Sequence, residues 1–165
     1  MDIKTSAIKS EADFSDCMKY RYSLVRDFGK GDGMMNFIML NPSTANEAFN
    51  DPTVHRCEMR TIDSGYRYMV VTNIFAFRAT DPSDMRASVD PIGTKNNEAI
   101  RFFANKASEV ICAWGEHGLF VNRGQFVKEM LLREKVKAKI LKLNKSGEPA
   151  HPLYLPKALV PSAWL

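Results

Sequence analysis

Histidine and cysteine are scarce in this 165-residue sequence, three of each, and their scarcity bounds the chemistry. Cys17, Cys57 and Cys112 are odd in number and far apart, with neither a CxxC pair nor a Cys/His ligand spacing. A disulfide framework and a metal site are therefore not expected, and the three thiols read as buried structural groups. No uninterrupted apolar run reaches the ~18 residues that a spanning helix needs. The first residues, MDIKTSAIKSEAD, do not follow the basic-then-apolar order of a signal peptide. The expectation is a soluble cytoplasmic protein. Without a GxxxxGK[ST] run, or a GxGxxG after a strand, Walker-type phosphate chemistry and a Rossmann dinucleotide site are disfavoured, and no cofactor is expected. Repeats, low-complexity segments and interdomain linkers are also missing. A chain that is 45% apolar and of this length reads as one domain, residues 1–165, with a polar lead-in over 1–18 and the core over 19–165.

What is present is a modest positive charge, +4 at pH 7, gathered toward the end of the chain. Arg123, Lys128, Arg133, Lys135, Lys137, Lys139, Lys142 and Lys145 face only Glu129 and Glu134 over the same stretch. Such a run is either a solvated helix face or a stripe that follows phosphates, and periodicity does not separate the two.

The organising stretch is Met34 to Asn50, where an apolar run ends at Asn41-Pro42-Ser43-Thr44 and a polar loop leads to Asp51-Pro52-Thr53. Asp51 suits a cap, Pro52 the first helical position and Gly65 a stop, which predicts a helix over Pro52 to Ser64. Tyr20 to Phe28 alternates as a strand, and the glycine-rich turn after it predicts a hairpin with Met34 to Leu40. Further strands are expected at Tyr66 to Phe75, Glu109 to Trp114 and Ala138 to Leu143. Helices are expected at about Asn96 to Asn105 and Leu119 to Glu134. Asp81-Pro82 and Asp90-Pro91 read as turns or caps. This alternation predicts an α/β fold: a single three-layer α/β/α sandwich with a mostly parallel central sheet.

In such a fold, chemistry gathers beyond the carboxyl ends of the strands. Asn41 and Asn73 end two of them, and His151 lies in a proline-rich loop after the last. Each has an alternative, structural use: Asn41 as a turn residue, Asp51 as a cap, His151 as a loop hydrogen-bonder. Phe75 and Phe77, beside Arg78, could supply a stacking ring near a cation, although core packing is the commoner use of phenylalanine.

The segments MLNPSTA, NDPTVHRC, TNIFAFRATDP, DPIGTKNN and HPLYL resemble the family catalogued as domain of unknown function 1643, over nearly the whole chain from Tyr20. More distantly, Asn41-Pro42-Ser43 after a strand and His151-Pro152 near the end are similar to motifs of the uracil-DNA glycosylase superfamily. That second resemblance implies a DNA base glycosylase-like hydrolase acting on a damaged or modified base. Asn41 would position the attacking water, Asn73 would read the base edge and His151 would lie near the leaving base. Asp51 would be the candidate base. Pro42, Ser43, Thr44, Phe75 or Phe77, Arg78 and Asn96 would contact the substrate. The partner implied is DNA. The sequence departs from the resemblance where His151-Pro152 continues as Leu153-Tyr154 and not as serine-proline. The alternative is a non-catalytic nucleotide or nucleic-acid binding module using the same pocket.

Overall fold

The computed structural model describes residues 3–165. In chain order the elements are β1 (Ile3–Lys4), β2 (Lys9–Phe14), β3 (Arg21–Asp27), β4 (Met34–Met39), β5 (Phe49–Asn50), α1 (Pro52–Asp63), β6 (Tyr68–Asn73), α2 (Pro82–Ala87), α3 (Asn96–Lys106) and β7 (Glu109–Cys112). A 3₁₀ segment (Glu116–Asn122), α4 (Arg123–Arg133), β8 (Ala138–Ile140) and β9 (Ser162–Ala163) complete the chain. β1 and β5 form a small antiparallel pair, and the other strands form one sheet in the order β2-β3-β6-β4-β7-β8-β9.

A mostly parallel three-layer sandwich is not what the chain builds. The sheet is mixed: β6, β4, β7 and β8 run parallel to one another, while the β2-β3, β3-β6 and β8-β9 pairings are antiparallel. With β1-β5, antiparallel pairings are in the majority. The strands that change the balance are those the sequence conceals. β2 (KSEADF) has one face in water and is charged, as suits the rim of a sheet. β9 is two residues long. The expected β3-β4 hairpin does not form either, because β6 lies between them. Every residue of β6 after Tyr68 is buried, so it takes the interior position.

α1 forms where its signals lie: Asp51 accepts a hydrogen bond from Val54 N at 2.8 Å, Pro52 opens the helix, and Gly65 follows its cap with φ +81°. It covers one face of the sheet, over Met35, Phe37, Met69 and Val71. α3 and α4 cover the other, over Ile38, Ile74, Val110 and Ile140. The helix expected from Leu119 is broken, because Phe120 is extended and Val121 and Asn122 are left-handed, so α4 starts at Arg123. Asp81 caps a short helix, α2, that Pro82 opens. Cys57 and Cys112 are buried, whereas Cys17 is exposed, against expectation. No helix among the described residues is long and apolar enough to cross a membrane.

Candidate functional site

The polar loop after β4 is fastened on both sides. Above, the Asn41 amide nitrogen donates to Ala79 O at 2.7 Å and Pro42 O at 3.2 Å, and Ala79 N donates back to Pro42 O at 2.9 Å. Below, two arginines of β3 reach up from the sheet. Arg21 donates to Ala45 O at 3.1 Å, and Arg26 donates to Glu47 O, Phe49 O and Asn50 Oδ1. Arg26 is fully buried, and Glu58 of α1 answers its charge at 3.8 Å. Glu58 also accepts from Thr5, Ser6 and Asn50. Burial would push the Glu58 carboxyl up, but these hydrogen bonds outweigh it and hold the group below the ordinary carboxylate value.

The opposite side is built by close packing. Trp114, two residues past β7, is buried and donates its indole N–H to Glu148 at 2.6 Å. Gly118 and Gly124 leave room for that ring. Gly115, at φ +78°, turns the chain after Trp114 and donates to Pro149 O at 2.7 Å, which sets the loop carrying His151 beside it.

Between the two sides, at the carboxyl ends of the parallel strands, lies a cavity of about 410 Å³, a size suited to a small ligand. Asn41, Asp51, Asn73 and His151 all line it, although 110 positions of chain separate Asn41 from His151. The hydrogen bonds fix which atoms remain for a ligand. Because Asn41 spends its N–H groups on carbonyls, its Oδ1 is the free acceptor. Asp51 uses Oδ1 as the cap, leaving Oδ2. Asn73 Oδ1 accepts from Arg21 at 3.5 Å, which leaves the Asn73 amide N–H groups as donors. Leu153 N donates to His151 Nδ1 at 3.3 Å, so the neutral imidazole carries its proton on Nε2. Burial lowers the His151 pKa, against the pull of Asp51, which favours that neutral form.

Pro42 and Ser43 also line the cavity. The other expected contacts do not. Thr44 is exposed outside it. Phe75 is buried in the core against Phe120, because the strand pairing continues past β6 (Phe75 N to Leu40 O) and turns its ring inward. Asn96 is buried too, with its amide donating to Asn73 O and Ile74 O, so it supports the end of β6 from behind. Phe77 and Arg78 line a second, adjacent cavity.

Arg21, which was not among the expected site residues, is 1% exposed and lines the pocket. Burial lowers its pKa to about 10, with Asp51 opposing, so it remains a cation at neutral pH. Its signal was legible: an arginine inside a buried strand requires partners. Glu116 and His117 were also missed as lining residues. No group of three or more His, Cys, Asp or Glu able to hold a metal ion occurs among the described residues.

Fold and site together define a mixed α/β domain with a pocket, holding both a fixed cation and a carboxylate, at the carboxyl edge of its parallel strands. The chain belongs to the family described as Protein of unknown function (DUF1643), which matches residues 21–153. No match was found among curated proteins or among solved structures.

Proposed function

We propose that the pocket takes up a base of DNA, damaged or modified, and hydrolyses the N-glycosidic bond that joins it to its sugar, in the cytoplasmic compartment. The observation that carries this reading is the pairing of free groups in one cavity: acceptors on Asn41 and Asp51, donors on Asn73, His151 and Arg21. Glycosidic cleavage needs both sets. Water must be held and relieved of a proton while the departing base gains negative charge. Asn41 Oδ1 orients the water, Asp51 Oδ2 takes its proton, and His151 Nε2–H donates to the base. The motif resemblance around Asn41 and His151 points the same way.

The test is incubation with DNAs carrying uracil, mismatched thymine or modified pyrimidines, scored as alkali-labile abasic sites against pH. A neutral His151 donor gives release that is flat above the ordinary histidine value of 6.5; as pH drops through the lowered pKa, a proton on Nδ1 breaks the Leu153 N–H bond that orients the ring, and release falls. His151→Ala should be slow at every pH; wild-type release that instead rises on acidification would mean the imidazolium acts. Asn41→Ala should lose most turnover with DNA affinity retained. A second reading, a binding module without turnover, is favoured by the structural bonds that already engage Asn41 and Asp51. Tight base-specific binding with no abasic product from any DNA would select it.

A further inference from the structure

The second cavity, about 390 Å³, shares Ser43, Ala79 and Thr80 with the first. These residues form a ridge between the two, sewn together by the Ala79 N to Pro42 O bond and the Ser43 Oγ to Thr80 Oγ1 contact at 3.2 Å. The cavities differ in charge. Arg21 in the first is offset by Asp51 and Glu116, whereas Lys19 and Arg78 line the second with no acidic side chain. Arg78 is held ready: it donates to Met18 O at 2.9 Å, its guanidinium lies 4.6 Å from the Phe14 ring centre, and its backbone N–H donates to Lys19 O at 2.9 Å. One bond to Met18 leaves most of the guanidinium donors unspent.

We infer that the groove of Lys19, Arg78, Ser43 and Thr80 is a phosphate subsite, binding a phosphate ester of the nucleoside whose base enters the neighbouring pocket. Two adjacent cations and two hydroxyls match a phosphate's charge and acceptor oxygens, and a guanidinium fixed in advance loses little freedom on binding. The base part of this assignment rests on the reading proposed above; the phosphate part rests on the groove alone.

The experiment measures binding, so it does not depend on turnover. A fluorescein-labelled ten-nucleotide single-stranded DNA is titrated with the wild-type chain, Arg78→Ala, Arg78→Lys and Lys19→Ala, with inorganic phosphate and deoxyuridine monophosphate as competitors. Lys19 is exposed, so its variant keeps the test valid if Arg78→Ala is poorly folded. Each alanine variant should weaken DNA binding and reduce the slope of log K against log salt by about one unit, with Arg78→Lys between them and wild type. Inorganic phosphate should compete with the wild type and less well with the variants. Loss for the DNA but not for deoxyuridine monophosphate assigns the subsite to a strand's diester; loss for both assigns it to a terminal phosphate. Wild-type affinity and slope in Lys19→Ala and in a folded Arg78 variant would overturn the inference. Weakened binding without any base release would leave the subsite standing and remove the glycosylase reading, whereas release with unchanged binding would do the opposite.

Discussion

The side of the pocket that carries Asn41 and Asp51 is held from beneath by buried charge, whereas the side that carries His151 is held by close packing around Trp114. On the first, Arg21 and Arg26 hold the carbonyls of the loop, and Glu58 compensates Arg26 while tying in Thr5 and Ser6. On the second, Gly115, Gly118 and Gly124 let a tryptophan and a carboxylate sit against the backbone. The difference bears on how each side fails. Removing one member of a buried charge cluster leaves the others unanswered in a poor solvent for ions, so the loss spreads. A steric misfit can be relieved locally by a small shift of one ring.

The largest expected effect follows from the charged side. Glu58→Ala strands Arg26 and frees Thr5, Ser6 and Asn50, and should cost about 3–5 kcal/mol in denaturant unfolding. The pH dependence has a definite sign. The Glu58 carboxyl is held below its ordinary value, so its contribution is full above the unfolded carboxylate pKa and is lost as pH falls through the lowered one. The variant should therefore unfold with a weaker dependence on acid than wild type. An alanine chain as stable as wild type would show that the cluster does not hold the loop.

Next comes the packed side. A Cβ on Gly118 would stand 2.5 Å from the indole nitrogen of Trp114, and the backbone there is not left-handed, so Gly118→Ala tests crowding alone. A cost of about 1–3 kcal/mol is expected, with a changed tryptophan near-ultraviolet signal, since the ring must leave Glu148 to make room. Loss of stability with that signal unchanged would place the adjustment elsewhere.

The contrast also explains what could be read in the sequence. Asn41, Asp51, Asn73 and His151 stand at element ends, where proline and cap signals are local, and their common pocket follows once the parallel strands lie side by side. An arginine inside a buried strand shows that Arg21 and Arg26 need partners, but those partners, such as Ala45, Glu47 and Asn50, lie 21 to 24 positions away and no local pattern names them. Phe75 misled because alternation assigns it a face without saying which face the core occupies. The mixed sheet was hidden for a related reason: β2 is polar and alternating, and only its pairing with β3 shows it to be a strand.

The smallest effect is expected at the opposite edge of the sheet. Lys135 and Lys137 share a cleft with Ala107 and Ser108, and Ser108 Oγ accepts from Met34 N at the start of β4. They therefore lie at the amino ends of the parallel strands, with Arg133 in the last turn of α4 just before them. The pocket and the Lys19–Arg78 groove are at the other end. Lys128 is engaged over the Trp164 ring at 4.8 Å. Arg133, Lys135 and Lys137, the middle of the basic run, thus lie away from the site, and these cations cannot follow a strand whose base sits beside Asn41 without a long detour. Replacing Arg133, Lys135 and Lys137 together by alanine should lower the slope of log K against log salt by less than about one unit, where three direct phosphate contacts would lower it by about three. A drop of that larger size, measured on the same labelled oligonucleotide, would place nucleic acid on the amino edge and separate the site of binding from the pocket.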